Sequence, residues 1–184
     1  IRDNQELFQP LLNLCKRMQF IQTGYAGMDD PFCQAMLKES KAVIANASSI
    51  HAIPISHYVL SQMLRWNKRI DQHIELQNKK NWSPMGGDGE LTNKTLLILG
   101  YGGIGREVAK LGKAFGMNVI AWSHNLTKEI CDLEKVTLVS SDEMFKISDV
   151  LSIHTKLSER TRGFIDYSKI QMMKKTAIII NTSR

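Results

Sequence analysis

The chain has 184 residues, of which 43% are hydrophobic and 23% are charged, the ordinary composition of a folded globular protein. No apolar run approaches the roughly 18 residues of a membrane span, so the sequence predicts none. Cys15, Cys33 and Cys131 lie far apart, which predicts neither a disulfide framework nor a metal site and favours a cytoplasmic location. The net charge of +6 comes from scattered basic residues, so we expect no nucleic-acid partner.

The first part of the sequence contains two short apolar segments and one helix signal. Residues 19–21 and 42–45 are typical of short strands. Between them, Asp30 followed by Pro31 predicts the start of a helix that continues to about Leu37.

A longer periodic segment follows. From Pro54 to about Leu76, apolar residues recur at helical spacing, which predicts one long amphipathic helix. Residues 77–92 carry proline and glycine without periodicity, so we interpret them as a linker. The sequence therefore predicts two domains, 1–76 and 93–184.

The second half alternates predicted strands with predicted helices, a pattern typical of a parallel sheet with crossover helices. Gly116 is suited to the left-handed conformation that ends a helix, and Ser140 with Glu143 forms a plausible capping box. The expected fold class is α/β, with a Rossmann-type sheet in this half. Strands are predicted at 95–99, 118–122, 149–154 and 177–181, and helices at 103–115, from 142 and from 166.

A glycine-rich motif, GYGGIG at residues 100–105, ends a predicted strand and opens a predicted helix. The first glycine permits a tight turn, the second lets the backbone approach a pyrophosphate, and the third allows close packing of helix on strand. The N-terminus of the helix offers unpaired N–H groups to phosphates. This context predicts dinucleotide binding.

The end of the next strand sets the choice between coenzymes. An acidic residue is expected there to bind the adenosine ribose, but this chain has Ser123. Serine does not repel a 2′-phosphate, which His124 or Lys128 could meet, but it can also accept a hydrogen bond from the ribose of plain NAD. The sequence leaves NAD and NADP both open.

Four ordered segments together resemble the D-isomer-specific 2-hydroxyacid dehydrogenases. The first two are FIQTGYAGMD from residue 20, similar to that family's substrate loop, and HAIPISHYVL from residue 51, similar to the start of its interdomain helix. The others are LTNKTLLILGYGGIGR from residue 91, and SDVLSIHTKL from residue 148 with MMK and NTSR further on. The resemblance covers nearly the whole chain.

This resemblance implies a partial, flavodoxin-like substrate domain before the Rossmann-type domain, and it assigns roles to individual residues. Backbone N–H groups at Ala26 and Gly27 would bind the substrate carboxylate. Arg184 would be the catalytic arginine, because its planar fork can bind a carboxylate and the adjacent carbonyl oxygen together. The residues implied to bind the coenzyme are Gly100, Gly102, Gly103, Ile104, Gly105, Ser123, Thr155, Asn181 and Thr182.

The family's proton-donating histidine and the carboxylate beside it correspond to positions after Arg184, so we expect this sequence to be a piece of a longer protein. His154 resembles a family histidine that is not the proton donor. Its expected role is structural.

The function that the resemblance implies is hydride transfer between NAD or NADP and C2 of a small 2-oxo or 2-hydroxy acid, with D-isomer specificity. A homodimer without membrane or nucleic-acid partners is expected. Three alternatives stay open: an NAD(H)-binding protein without catalysis, like the corepressors of this fold, an inactive fragment, and a Rossmann module for another adenosine ligand. The last explains nothing before Leu91.

Overall fold

The structure, a computed structural model, describes residues 5–84, 86–87, 89–140 and 142–183. The chain forms two compact units, Ile1–His51 and Ala52–Arg184. Within the described ranges, no helix has both the length and the apolar character needed to cross a membrane.

The first unit contains α1 (Gln5–Cys15), β1 (Phe20–Gln22), α2 (Pro31–Glu39) and β2 (Val43–Ala45). The strands β1 and β2 pair in parallel, and both predicted strands and the predicted helix are confirmed. The carboxylate of Asp30 caps α2 by accepting a hydrogen bond from the backbone N–H of Cys33 at 3.0 Å. Leu12, Cys15 and Met36 form the buried core between the two helices. The sequence did not predict α1, which holds Pro10 inside it.

The second unit begins with two helices where the sequence predicts one. Helix α3 (Ala52–Asn67) ends before Arg69, which takes a left-handed conformation with φ of 51°, and α4 (Ile70–Asn78) follows. The prediction of one continuous helix is therefore wrong. Val59 and Met63 of α3 are buried, whereas α4 has no buried residue, so the core stabilises only the first helix.

The remaining elements of this unit form a doubly wound parallel sheet. The spatial order of its strands is β5-β4-β3-β6-β7, which confirms the predicted fold class. The strands are β3 (Thr95–Leu99), β4 (Asn118–Trp122), β5 (Thr137–Leu138), β6 (Val150–Ile153) and β7 (Ile178–Asn181), and the helices are α5 (Gly103–Ala114), α6 (Lys128–Glu134), α7 (Glu143–Ile147) and α8 (Tyr167–Met172).

Two apolar clusters cover the two faces of the sheet. Helices α3 and α5 pack on the face that includes Leu96 and Ile98, and α7 packs on the face that includes Leu97 and Leu99. These four residues of β3 are at most 1% exposed. The central strand is thus held from both sides, and its carboxyl end is a fixed point in the second unit.

Details of the helix ends both confirm and correct the sequence analysis. Gly116 follows α5 with φ of 71°, as predicted. The capping box of Ser140 and Glu143 is wrong, because Asp142 is the residue that precedes α7. The division between the compact units falls after His51, and α3 packs on α5 within the second unit, while the domain limits 1–76 and 93–184 remain a prediction.

Candidate functional site

The glycine motif lies at the carboxyl end of β3, in the centre of the sheet. Gly100 has φ of 97°, a conformation that L side chains rarely adopt. A Cβ atom on Gly100 would lie 2.6 Å from both the carbonyl carbon of His154 and the nitrogen of Thr155. The tight turn and the close approach of the segment after β6 both require glycine here.

The other two glycines of the motif have opposite surroundings. A Cβ on Gly105 would overlap the carbonyl oxygen of Gly100 and lie 3.2 Å from Cγ2 of Ile98, so this glycine allows α5 to pack on β3. A Cβ on Gly102 would meet nothing within 4 Å. The space over Gly102 is open to a ligand, as the motif predicts.

Helix α5 begins directly at this open surface. Gly102 is its N-cap and provides no side-chain hydrogen bond to the first turn. Its carbonyl accepts from the N–H of Arg106, and Gly103 and Ile104, which precede Arg106 in the first turn, are half-buried residues. Unpaired N–H groups and the positive end of the helix dipole together favour an anion at this position.

Ser123 lies beside this loop, just after β4. Gly100 donates its N–H to the carbonyl of Trp122 at 2.8 Å, which ties the two strand ends together. Ser123 begins a turn in which the N–H of Leu126 donates to its carbonyl at 3.2 Å, and its own side chain is half-buried. Trp122 stacks on Phe164 with ring centroids 4.2 Å apart. The strand end that carries Ser123 is therefore fixed.

The ends of β6 and β7 are joined by a chain of hydrogen bonds through His154. The Nε2 atom of its ring lies 2.8 Å from the Ser152 hydroxyl, and Nδ1 lies 2.8 Å from the Thr182 hydroxyl. The Ser183 hydroxyl donates to the carbonyl of Ile153 at 3.2 Å. These bonds place Thr155, Asn181 and Thr182 at the same edge of the sheet as the glycine loop.

Burial lowers the pKa of His154 to about 4, because the charged imidazolium loses its hydration. The ring is therefore neutral at pH 7, and both of its nitrogens already have hydrogen-bond partners within the protein. A proton donor for carbonyl reduction must be charged or readily protonated near neutral pH. His154 does not meet this requirement, and a structural role agrees with its environment.

Tyr101 of the glycine loop forms a polar cluster with Arg106 and Glu134, which the sequence analysis missed. The Tyr101 hydroxyl donates to Oε2 of Glu134 at 2.8 Å, and the Arg106 guanidinium forms an ion pair with Oε1 of the same carboxylate. Glu134 is 33 residues from Tyr101 and belongs to a helix that the sequence analysis did not predict. No local pattern signals such a pairing.

In the first unit, Ala26 and Gly27 belong to the segment between β1 and α2. The carbonyl of Ala26 accepts from Nδ2 of Asn46 at 3.0 Å, and the carbonyl of Tyr25 accepts from the N–H of Ala47 at 3.0 Å. The hydrogen bonds among the described residues leave the N–H groups of Ala26 and Gly27 without an acceptor.

Two further predictions concern the chemistry of the site. Arg184 lies outside the described residues, so its assignment remains a prediction. In residues 5–84, 86–87, 89–140 and 142–183, no group of three or more His, Cys, Asp and Glu side chains is placed to hold a metal ion.

A parallel sheet of this strand order, with a glycine loop after its central strand, defines a dinucleotide-binding Rossmann domain. The sequence profile described as "D-isomer specific 2-hydroxyacid dehydrogenase, NAD binding domain" matches residues 60–184. The chain belongs to this family, which confirms the resemblance seen in the sequence.

Individual relatives agree with this assignment. The hydroxypyruvate reductase of Thermotoga maritima is 32% identical over all of this chain and 59% of its own length. The D-3-phosphoglycerate dehydrogenase of Methanocaldococcus jannaschii is 30% identical over all of this chain and 35% of its own length. A solved glyoxylate reductase from Paecilomyes thermophila is 29% identical with a TM-score of 0.76, over 94% of this chain and 54% of that one. The chain thus spans only part of the proteins it matches.

Proposed function

We propose that this chain binds NAD or NADP as part of an oxidoreductase that transfers a hydride between the coenzyme and C2 of a small 2-oxo or 2-hydroxy acid, with D-isomer specificity. The observation that carries the proposal is the open space over Gly102 at the uncapped N-terminus of α5. A phosphate-bearing ligand fits this position by both shape and charge. A bound nicotinamide coenzyme would supply the hydride.

The coenzyme would be held by groups at the carboxyl edge of the sheet. The N–H groups of Gly103 and Ile104 would donate to the pyrophosphate, and Ser123 would contact the adenosine ribose. Thr155 would lie close to the coenzyme, and Asn181, with Thr182 next to it, would border the nicotinamide. The fixed positions of these strand ends keep the contacts in place without reorganisation when a ligand binds.

The substrate would be held by two groups. The N–H groups of Ala26 and Gly27, which lack acceptors among the described residues, would donate to its carboxylate. The guanidinium of Arg184 would bind the carboxylate and the adjacent carbonyl oxygen together, which orients C2 and polarises the C=O bond.

The proposal also covers the cellular location and the partners of the protein. Cys15, Cys33 and Cys131 are buried and form no disulfide bond among the described residues, which agrees with a cytoplasmic location. A homodimer is the proposed assembly, with a small 2-oxo or 2-hydroxy acid as the partner molecule and neither nucleic acid nor membrane involved.

In the first experiment the purified chain is titrated with NADH and with NADPH, and binding is measured by tryptophan fluorescence and by calorimetry. S-adenosylmethionine is the control ligand. We expect saturable binding of at least one coenzyme and none of the control. Coenzyme-dependent reduction of glyoxylate, hydroxypyruvate or pyruvate, measured with a protein that also contains the family's proton-donating histidine, tests the catalytic part. Thermal stabilisation by S-adenosylmethionine but not by NADH or NADPH would contradict the proposal.

The role of Arg184 has its own test in the same reduction assay. We expect Arg184→Lys to lose at least about 100-fold in kcat/KM, because a point charge cannot replace the bidentate fork. The Kd for the coenzyme should stay unchanged. Equal turnover by the variant and the unmodified protein would refute the assignment.

A further inference from the structure

Glu134, the last residue of α6, receives donors from three side chains of the glycine loop and α5. One carboxylate oxygen accepts the Tyr101 hydroxyl, and the other forms the ion pair with Arg106. The backbone carbonyl of Glu134 accepts from Nζ of Lys113. Both carboxylate oxygens and the backbone carbonyl of Glu134 therefore have a partner in the glycine loop or α5.

Tyr101 connects this cluster to the open part of the loop. It lies between Gly100 and Gly102, and its side chain is 6% exposed within the apolar core of the second unit. The guanidinium carbon of Arg106 lies 5.4 Å from the centre of its ring. A buried hydroxyl that loses its acceptor is destabilising, so the hydrogen bond to Glu134 holds the side chain in one orientation.

We propose that Glu134 is a positioning residue for coenzyme binding. Through Tyr101 it holds the backbone of residues 101–103 in the orientation that presents the N–H groups of Gly103 and Ile104 to a pyrophosphate. Gly100 is already fixed by its backbone contacts, whereas nothing lies within 4 Å of a Cβ built on Gly102, so the Tyr101 side chain anchors the part of the loop that leads into α5. The inference rests on the proposed coenzyme site.

The negative charge of Glu134 weakens coenzyme binding, whereas its positioning of Tyr101 strengthens it. A carboxylate on the order of 10 Å from a phosphate in water disfavours its binding by about twofold, and the ion pair with Arg106 reduces that effect. Loss of the hydrogen bond alone should weaken binding by about threefold. Because the positioning effect is the larger, removal of the carboxylate should weaken coenzyme binding although it removes a repulsive charge.

Two variants separate these effects. Tyr101→Phe removes the hydroxyl without a change of charge, and Glu134→Ala removes both contacts of the carboxylate. Glu143→Ala is the matched control, because Glu143 also pairs with a cation, Lys146 at 3.3 Å, on the exposed surface of α7. The Kd of each variant is measured for NADH, for ADP and for adenosine, and circular dichroism verifies that each is folded.

We expect the Kd for NADH and for ADP to rise by about threefold in Tyr101→Phe and by about twofold in Glu134→Ala, where removal of the repulsive charge offsets part of the loss. The Kd for adenosine, which has no phosphate, should not change, and the control should bind all three ligands normally. An equal loss for adenosine would show general damage and overturn the proposal, as would unchanged NADH and ADP binding in both variants. If the unmodified chain binds neither NADH nor ADP, the proposed function itself fails.

Discussion

The loop after β3 in the second unit and the loop after β1 in the first unit both follow a parallel strand, but they are held in different ways. Gly100 follows a strand whose last residues are at most 1% exposed, and it touches the backbone of residues 154 and 155. Phe20 of β1 is 57% exposed. The loop after β1 is held by single hydrogen bonds, most of them from side chains, for example from Gln34, which donates to the carbonyl of Met28 at 2.6 Å.

This difference explains why only one loop has a recognisable motif. Where backbone packs against backbone, only glycine fits, and the sequence must show it. Where side chains hold a loop through single hydrogen bonds, many residue types can take the same part. A loop held in this second way, such as the one after β1, therefore has no residue spacing by which it could be recognised in the sequence.

The largest effect should come from one added methyl group in the loop after β3. Gly100→Ala should lower the free energy of unfolding by about 4 kcal/mol, because it combines an unfavourable positive φ with overlap of fixed backbone atoms. In the other loop, Gly24→Ala is the matched control, since a Cβ there would meet nothing within 4 Å. It should change the free energy of unfolding by less than about 0.5 kcal/mol. Urea denaturation measures both values.

If Gly100→Ala and Gly24→Ala lowered the free energy of unfolding by the same amount, the two loops would not differ in how tightly their backbones are packed. A stable Gly100→Ala variant would mean that the segment containing His154 and Thr155 moves away at little cost. That segment would then not be a fixed edge of the site.

A slightly smaller effect should appear in the pH dependence of stability. His154 has a pKa of about 4 in the folded protein against the ordinary histidine value of 6.5, so between these values the unfolded chain binds more protons than the folded one. Stability should therefore fall as the pH is lowered from 6.5 to 4, by about 3 kcal/mol in total. Below pH 4 this residue should contribute no further loss.

Variants at two histidines assign this pH dependence. His154→Gln should remove most of the slope between pH 6.5 and 4, whatever its own effect on stability. His124→Gln, at an exposed histidine beside Ser123, should retain the slope. Denaturation of each variant at several pH values is the measurement, and an unchanged slope in His154→Gln would show that the imidazole is protonated in the folded protein.

The contrast between tightly packed backbone and loops held by single hydrogen bonds also explains which parts of the molecule could be predicted from the sequence. The periodic and glycine-bearing parts of the second unit, such as β3 and the turn at Gly100, were predictable because their burial and geometry restrict the residue types. The break at Arg69 was not, since neither glycine nor proline marks it. The pairing of Tyr101 with Glu134 was not either, because it depends on where a crossover helix ends. Ala26 and Gly27 could be selected only through family resemblance, since backbone N–H groups leave no side-chain signal.

Gly102 offers a way to separate binding from stability within one loop. Gly102→Val should raise the Kd for the coenzyme by at least about 100-fold, because the side chain would fill the space over the helix N-terminus. The backbone has φ of −92° and ψ of −159°, within about 20° of the extended region that valine favours, and a Cβ there would meet nothing within 4 Å, so the free energy of unfolding should change by less than about 1 kcal/mol. Calorimetric titration with NADH measures the change in Kd, and urea denaturation measures the change in the free energy of unfolding. Normal affinity would place the phosphates elsewhere.

The smallest effect should be at Ser123, where the choice between the coenzymes is expected. Ser123→Asp adds a negative charge beside the position of the adenosine ribose, and at a separation of about 5 Å in water it should weaken NADPH binding about tenfold relative to NADH. Ser123→Asn has nearly the same size without the charge and should leave the ratio of the two Kd values unchanged. The two variants together separate repulsion from shape. If the aspartate leaves the ratio unaltered, the 2′-hydroxyl does not face Ser123, and the fixed end of β4 does not select the coenzyme.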